Sequence, residues 1–393
     1  MSIERERQAL FEVATGDHLD SMNQAVWLAC AFEHELLQSN DMGAGVPVHA
    51  ESLSERFGVS RSVRNEAIRI LQSREVIRAK PGRNGGLLAL GPSSDHLLKV
   101  VSQYSIYRRM SAAAIAESQE VVEFVRSTLP ADHPARAIVG LIADVAERLS
   151  AWAQVESSGP EALRCRPRAE LIAQQLGIRI LRSETQPDSL QSLRLGHEDE
   201  LCEQFDACRA VVRQAIRILE SQSLVECRRG RGHGLFLASP KPGPTTRLIA
   251  LWLLDNKLSL RHILDFERPL RTAVAVLAMR KMQRDSDQPV LELQRRSEAA
   301  GIATLLDVIE IEKNISWLSS NALLDLFLRT ITVYKICRGR YWQMDVRGLE
   351  SYVGINGRVL QALIRRNETA IQKNCDEKND CLSELDLRAA SLS

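Results

Sequence analysis

Residues 49–92 and 197–240 of this chain align without a gap at an offset of 148 positions. The shared positions include His49/His197, Leu53/Leu201, Glu55/Glu203, Phe57/Phe205, Arg61/Arg209 and Val63/Val211. The runs Ala67-Ile68-Arg69-Ile70-Leu71 and Ala215-Ile216-Arg217-Ile218-Leu219 are identical. Ser73/Ser221, Gly82/Gly230, Arg83/Arg231, Gly86/Gly234, Leu87/Leu235 and Pro92/Pro240 also match. Unrelated segments do not line up in this way, so the chain reads as carrying an internal duplication. Whatever unit one copy builds, the chain is expected to build twice.

In the second copy, residues 168–181 have helical spacing, with Leu171, Ile172, Leu176 and Ile180 on one face. A polar loop rich in Ser, Gln and Pro follows. Residues 198–205 predict a short helix and 208–221 a second, with Val211, Ala215, Ile218 and Leu219 facing inward. Asp206-Ala207 is the tight turn between them. Residues 224–227 read as a strand, 228–234 as a glycine-rich basic hairpin and 235–237 as the partner strand. This order predicts a winged helix-turn-helix, whose third helix suits the major groove of DNA, with its N-terminal side chains meeting base edges. Cys208, Arg209, Ala210 and Arg213 occupy those positions, and the two arginines, four apart, can reach phosphates or the acceptor edge of guanine. In the wing, Gly230 permits close approach to DNA while Arg229 and Arg231 supply charge.

The first copy repeats the pattern. Residues 22–37 predict helix one, with Val26, Leu28, Ala29, Phe32 and Leu36 available for a core; 51–57 predict helix two, Gly58-Val59 the turn and 60–74 helix three. Ser60 is the expected N-cap. Arg61, Ser62 and Asn65 take the base-facing positions, and Gly82 and Arg83 lie in the wing. Asparagine pairs bidentately with adenine, which arginine does not do. The two heads therefore differ at Ser60/Cys208, Ser62/Ala210 and Asn65/Arg213. A solvated arginine face is the plainer reading of either helix alone. The same arrangement before a Gly-Arg hairpin, twice over, favours double-stranded DNA as the partner. A winged unit that contacts proteins, making the chain an adaptor, is the alternative.

A length of 393 residues allows two to four domains, each with its own core. The net charge of +1 requires any nucleic-acid surface to come from local clustering. The start, MSIERERQAL, has no apolar segment of signal-peptide type, and no run approaches about 18 apolar residues, so a cytoplasmic protein without a membrane span is expected. The eight cysteines form no C-x-x-C pair and no zinc-finger spacing, which reads as reduced thiols, Cys208 near a helix start being the one redox candidate. Gly-rich phosphate loops in strand–loop–helix context, H-E-x-x-H and G-x-S-x-G are all missing, so an enzyme is not expected.

The stretch 57–71, Phe-Gly-Val-Ser-Arg-Ser-Val-Arg-Asn-Glu-Ala-Ile-Arg-Ile-Leu, resembles the helix-turn-helix signature of the GntR superfamily of bacterial transcription regulators. Residues 205–219 resemble it too, with Arg213 at the arginine that typically precedes Glu-Ala. Copy one departs from the signature at Asn65. An arginine typical of the second helix in the fatty-acid-responsive subfamily is replaced by Glu51 and Asp199, so a phosphate-contacting cation is lost. Residues 258–384 look like the all-helical effector domain of the FadR branch, the FCD type, through residues 263–278, 311–324 and 359–364. Many members of that group hold a divalent metal with an Asp and three His. The matching positions here are Val308, Glu312, Asn356 and a residue near Asp376, so the resemblance implies no metal site, and no cofactor is expected.

The expected fold is mainly α, with two winged helix-turn-helix domains, each followed by an all-α region. The domains read as 1–92, winged; 93–160, a short helical segment resembling a truncated effector domain or one packed on the C-terminal bundle; 161–240, winged; and 241–393, the FCD-like effector-binding and dimerisation bundle. Ser157-Ser158-Gly159-Pro160 and Pro240-Lys241-Pro242-Gly243-Pro244 read as hinges. The resemblance implies a ligand-responsive regulator, a small organic acid or acyl effector and a possible homodimer. Arg268, Arg271 and Tyr334 are the candidates for the effector, with core packing and ion pairing as the plainer reading of each.

Overall fold

The computed structural model describes residues 3–16, 22–39, 45–80, 86–154, 168–182, 194–221, 224–228, 234–238, 241–282, 290–292, 295, 305–338 and 346–390. In chain order its elements are α1 (Ile3–Thr15), α2 (Gln24–Gln38), β1 (Val46–Val48), α3 (Ala50–Phe57), α4 (Arg61–Ser73), β2 (Ile77–Lys80), β3 (Gly86–Ala89), α5 (Ser94–Tyr107), α6 (Ala112–Thr128) and α7 (Arg136–Gln154). There follow α8 (Arg168–Arg182), β4 (Arg194–Gly196), α9 (Glu198–Gln204), α10 (Arg209–Ser221), β5 (Val225–Arg228) and β6 (Gly234–Leu237). The C-terminal helices are α11 (Gly243–Asp255), α12 (Leu260–Lys281), α13 (Leu305–Leu318), α14 (Ala322–Arg338), α15 (Val346–Ile364) and α16 (Glu368–Ala390). Helix α1 and the short strands β1 and β4 have no counterpart among the elements expected from sequence.

The order helix, strand, helix, helix, strand, strand occurs from α2 to β3 and again from α8 to β6. The strands form two three-stranded antiparallel sheets, ordered β1-β3-β2 and β4-β6-β5. Ile77 pairs with Ala89 and Lys80 with Gly86; 148 positions on, Val225 pairs with Leu237 and Arg228 with Gly234. The amide of Leu90 donates to Val76 O at 2.9 Å, and that of Ala238 to Leu224 O at 2.9 Å. Sequence offset and ladder register thus coincide. The edge strands differ, because β4 pairs with β6 through a register shift between Arg194 and Gly196.

Local chemistry sets the helix ends. The Asn23 side chain accepts from Ala25 N at 3.0 Å at the start of α2, and Ser93 and Ser111 cap α5 and α6 in the same way. Gly58 ends α3 in the left-handed region at φ 61°, which opens the turn into α4.

The cores do not follow the linear order of the chain. One hydrophobic cluster runs from Leu10 and Phe11 of α1 through Leu28, Leu53 and Ile70 of the first unit and Val122 and Ile142 of α6 and α7 to Leu251, Phe266, Leu324 and Phe327 of the C-terminal helices. Helix α11 is apolar all round over 248–254 and buried throughout that stretch, as a helix enclosed on every side must be. The second unit keeps a core of its own around Leu176, Leu201, Val212, Leu219 and Leu235. A third cluster joins α12, α13, α15 and α16 through Met279, Ile311, Leu360 and Ile371.

Glu33 of α2 is fully buried between Arg74, which follows α4, and Arg247 of α11. Arg247 Nε donates to Glu33 Oε2 at 2.7 Å. Burial alone would raise the Glu33 carboxyl; the two guanidinium groups more than reverse this and hold it below the usual range. The first unit is thereby fastened to the C-terminal bundle. Helix α6 is fastened there too: Asn321 Nδ2 donates to Ala114 O at 2.8 Å, Ser118 Oγ to Asn321 Oδ1 at 3.1 Å, and Lys281 pairs with Glu117 at 2.7 Å.

Candidate nucleic-acid interface

The third helix of each unit presents its N-terminal half to solvent. On α4, Arg61, Ser62 and Asn65 are exposed, while Ala67, Ile70 and Leu71 face the core. Ser60 uses its hydroxyl as the cap, accepting from Val63 N at 3.3 Å. Arg64 departs from the pattern of the other copy. It stands at the position of the buried Val212, is itself buried, and donates from Nε and Nη2 to Asn65 Oδ1 at 3.2 and 3.1 Å. Arg64 Nη1 also lies 3.7 Å from Glu51. The Asn65 carbonyl oxygen is therefore engaged within the helix, and its amide nitrogen is the group able to donate to a base acceptor.

On α10, Cys208, Arg209, Ala210 and Arg213 are all exposed. The Cys208 carbonyl receives the amides of Val211 and Val212 at 3.0 and 3.2 Å, which places it at the helix start. Both arginines are held by the first turn of α9: Arg209 Nη2 lies 2.7 Å from Asp199 Oδ1, and Arg213 Nε 2.9 Å from Glu198 Oε2. Acidic residues suit that turn, because the helix N-terminus carries partial positive charge. These pairs are exposed to water, and exposed pairs hold their members only lightly. A phosphate can displace such a carboxylate, so these pairs leave the arginines able to meet an anionic partner. From sequence Asp199 reads only as a cation replaced; the geometry adds that Asp199 and Glu198 engage the two arginines assigned to bases. The wing-tip positions Gly82, Arg83, Arg229, Gly230 and Arg231 lie outside the described residues.

Helices α4 and α10 also touch one another. Arg217, the counterpart of Arg69, donates from Nε to Glu66 Oε1 at 2.6 Å and pairs with Glu220 of its own helix. Nothing in the sequence singles out Glu66 and Arg217 as partners, since 151 residues separate them.

The bundle side chains expected to meet an effector are engaged within the protein. Arg268 pairs with Asp380, Arg271 with Glu267 and, at 3.0 Å, with Glu312, and the Tyr334 hydroxyl donates to Leu258 O at 2.5 Å. Lys335 lies 2.7 Å from Glu267, and Lys378 Nζ lies 2.6 Å from Glu312 and 2.7 Å from Asn356 Oδ1. Burial would raise the Glu312 carboxyl; Arg271 and Lys378 hold it far below the usual range. Of the positions that match the metal ligands of the resembled domain, Val308 offers no donor atom, while Glu312 and Asn356 already surround an ammonium group. The Lys378 ammonium thus takes up the oxygens that a cation would need at these two positions. Among the described residues no helix is long and apolar enough to cross a membrane.

Residues 168–234 match the sequence model of the bacterial regulatory proteins of the gntR family. The match spans α8 to the start of β6 and leaves the first unit outside it. The chain is 29% identical over 143 residues to the protein named "Putative HTH-type transcriptional regulator RmpR" of Mycobacterium gastri, covering 36% of this chain and 49% of that protein. The chain thus spans about half the length of this relative. Among solved structures, the GntR protein of Streptococcus agalactiae is similar over 55% of this chain and 98% of its own, at 21% identity and a TM-score of 0.41. McbR/YncC of E. coli is similar over 58% and 97%, at 16% identity and a TM-score of 0.25. The chain is a mainly helical protein whose residues 168–234 match a family of bacterial regulatory proteins, and the similar protein of Mycobacterium gastri bears the name of a transcriptional regulator.

Proposed function

We propose that the chain is a sequence-specific DNA-binding transcription regulator with two unlike winged-helix heads on one polypeptide. The observation that carries this reading is the coincidence of offset and register. Residues 168–234 match the gntR family, and the unit 148 positions earlier has the same ladder pairs and the same outward helix face. Asn65 donates from its amide nitrogen to a base acceptor in one half-site and Arg213 favours guanine in the other, so the operator is asymmetric or pseudo-palindromic. Tethering keeps the second head at high effective concentration once the first is bound. Double-stranded DNA is the macromolecular partner, a small organic acid or acyl compound the effector, and a homodimer the means of bringing four heads together.

The contact between α4 and α10 sets a condition on this reading. Helices in van der Waals contact lie about 8–10 Å apart, whereas paired heads read half-sites about 34 Å apart. Both heads engage one duplex only after the Glu66–Arg217 pair opens. The described arrangement is then a closed form, and the effector acts by preferring one arrangement over the other.

Retention of DNA from around the chain's own promoter, titrated with salt, tests the proposal. Specific binding is expected to weaken by about 0.9 log unit per neutralised phosphate per log unit of salt. No retained fragment at low salt rules out the regulator. Arg213→Ala is expected to relax one half-site, reducing discrimination between bases by roughly 1–3 kcal/mol, the usual worth of a bidentate pair with a base edge. Asn65→Ala is expected to relax the other by less, because Arg64 holds the Asn65 carbonyl oxygen and only the amide nitrogen remains to donate. Relaxation of the same half-site by both substitutions rules out two heads.

A further inference from the structure

A cleft of 300 Å³ opens where the turn between α5 and α6 meets the turn between α13 and α14. Arg108, Arg109 and Ser111 line one side, and Ser316, Trp317 and Ser320 the other. About two hundred residues of sequence separate the two turns, yet the Asn321 side chain, bonded to Ala114 O and Ser118 Oγ, fixes them to each other. The cleft is therefore built before any ligand arrives. Its volume is at the low end of the range that small-molecule sites occupy.

Three features define its chemistry. Two adjacent arginines face one acid, Asp325, whose Oδ2 is paired with Arg329 at 2.7 Å while Oδ1 has no hydrogen-bond partner among the described residues, so cations outnumber the acid and the cleft favours an anion. Ser111 caps α6 here, and the amide end of that helix adds to the same preference. Trp317 is 62% exposed, an unusual position for an indole, and offers a flat apolar surface. On the same lining Ser316 is 2% exposed, and its hydroxyl has no partner within the described residues. A buried hydroxyl without a partner calls for one.

We propose that this cleft is the effector site and that it takes a small planar carboxylate. The ring lies on Trp317, the carboxylate meets Arg108 and Arg109, and a polar ring substituent reaches Ser316. This deepens the ligand-responsive reading above and rests on it for its regulatory part. The route from the cleft to DNA is short. Tyr107 precedes the two arginines and packs against the core of the second unit. A Cβ placed on Gly177 of α8 would collide with the Tyr107 hydroxyl, so the tyrosine tip sits directly on the backbone of that helix. A ligand that draws the Arg108–Arg109 turn into the cleft moves Tyr107 against α8 and biases the docking of the second head.

Tryptophan fluorescence of the full chain, titrated with benzoate, salicylate, 1-naphthoate and indole-3-acetate and with their uncharged amides, tests the site. A saturable change is expected with at least one acid, and it is expected to vanish in Trp317→Phe. The Arg108→Ala/Arg109→Ala double variant, which changes two exposed side chains, is expected to weaken binding at least tenfold, as is replacement of the acid by its amide. No saturable change with any of the acids, or equal affinity in the double variant, overturns the proposal. DNA retention measured with and without the bound acid forms a separate arm. Binding without a change in retention removes the effector role, whereas absence of retention with acid binding intact faults the regulator reading and not the cleft.

Discussion

At the residue scale, the acids decide how the cations are used. Glu33 is wholly enclosed with Arg74 and Arg247, and breaking a buried pair of this kind typically costs about 3–5 kcal/mol because charge is left uncompensated. Glu33→Gln is expected to lower stability by that order, read as a fall in the urea midpoint at unchanged slope. Glu198 and Asp199 play a different part, in water and at the face proposed for DNA. Asp199→Asn is expected to release Arg209, raise affinity for DNA of any sequence and steepen its salt dependence; unchanged retention would show that the carboxylate does not compete with phosphate.

At the element scale, the turn before the third helix is built twice with different residues. Gly58 adopts φ 61° and its counterpart Asp206 φ 44°, both left-handed. Aspartate tolerates this conformation, but its Cβ makes it less favourable than glycine there, by about 1–2 kcal/mol for most residues and less for Asp. Asp206→Gly is therefore expected to stabilise the second unit by up to about 1 kcal/mol, and Gly58→Ala to destabilise the first by a similar amount, seen in thermal melting. The helices are legible in the sequence because their apolar positions recur at helical spacing, as with Ala215, Ile218 and Leu219 on the buried face of α10. Val211 is expected on that face from sequence, whereas Val212 is the valine wholly buried there and Val211 is partly buried against it. β1 and β4 are not. Each has three residues, too few to show alternation, and Pro47 in β1 argues locally against a strand although an edge strand accepts it. Helix α1 escapes for another reason: its buried Leu10, Phe11 and Ala14 pack on helices some three hundred residues away.

At the scale of the whole molecule, buried carboxylates join parts that are distant in sequence. Glu33, Glu267 and Glu312 are each held below the ordinary glutamate value of 4.5 by neighbouring cations that outweigh their burial. A depressed folded value means that the unfolded chain takes up protons first, so these groups stabilise the fold above about pH 4.5 and that contribution is lost as pH falls below it. Urea midpoints measured from pH 7 to pH 3 are expected to be flat above about pH 5 and to fall steeply below about pH 4.5; a flat profile throughout would show that the pairs contribute nothing net. The link between the two heads is a separate matter. Glu66→Lys replaces attraction to Arg217 with repulsion, and is expected to expand the molecule in solution scattering and lengthen its footprint on DNA. If neither changes, the Glu66–Arg217 contact does not limit how the heads are spread.

The sequence by itself determined the two repeated units, the helices within them and the outward positions Arg61, Asn65, Arg209 and Arg213, because periodicity and a gapless repeat are local properties of the chain. It also shows that the two units differ at Ser60/Cys208, Ser62/Ala210 and Asn65/Arg213. Only the tertiary structure decided what those side chains meet: that Asn65 receives Arg64, that Glu198 and Asp199 take the arginines of α10, and that Glu66 reaches Arg217. It decided as well that the first unit shares its core with the C-terminal bundle while the second keeps its own. The physical reason is that burial is set by whichever apolar faces come together across the chain. An all-round apolar α11 announces that it will be enclosed without saying by which elements.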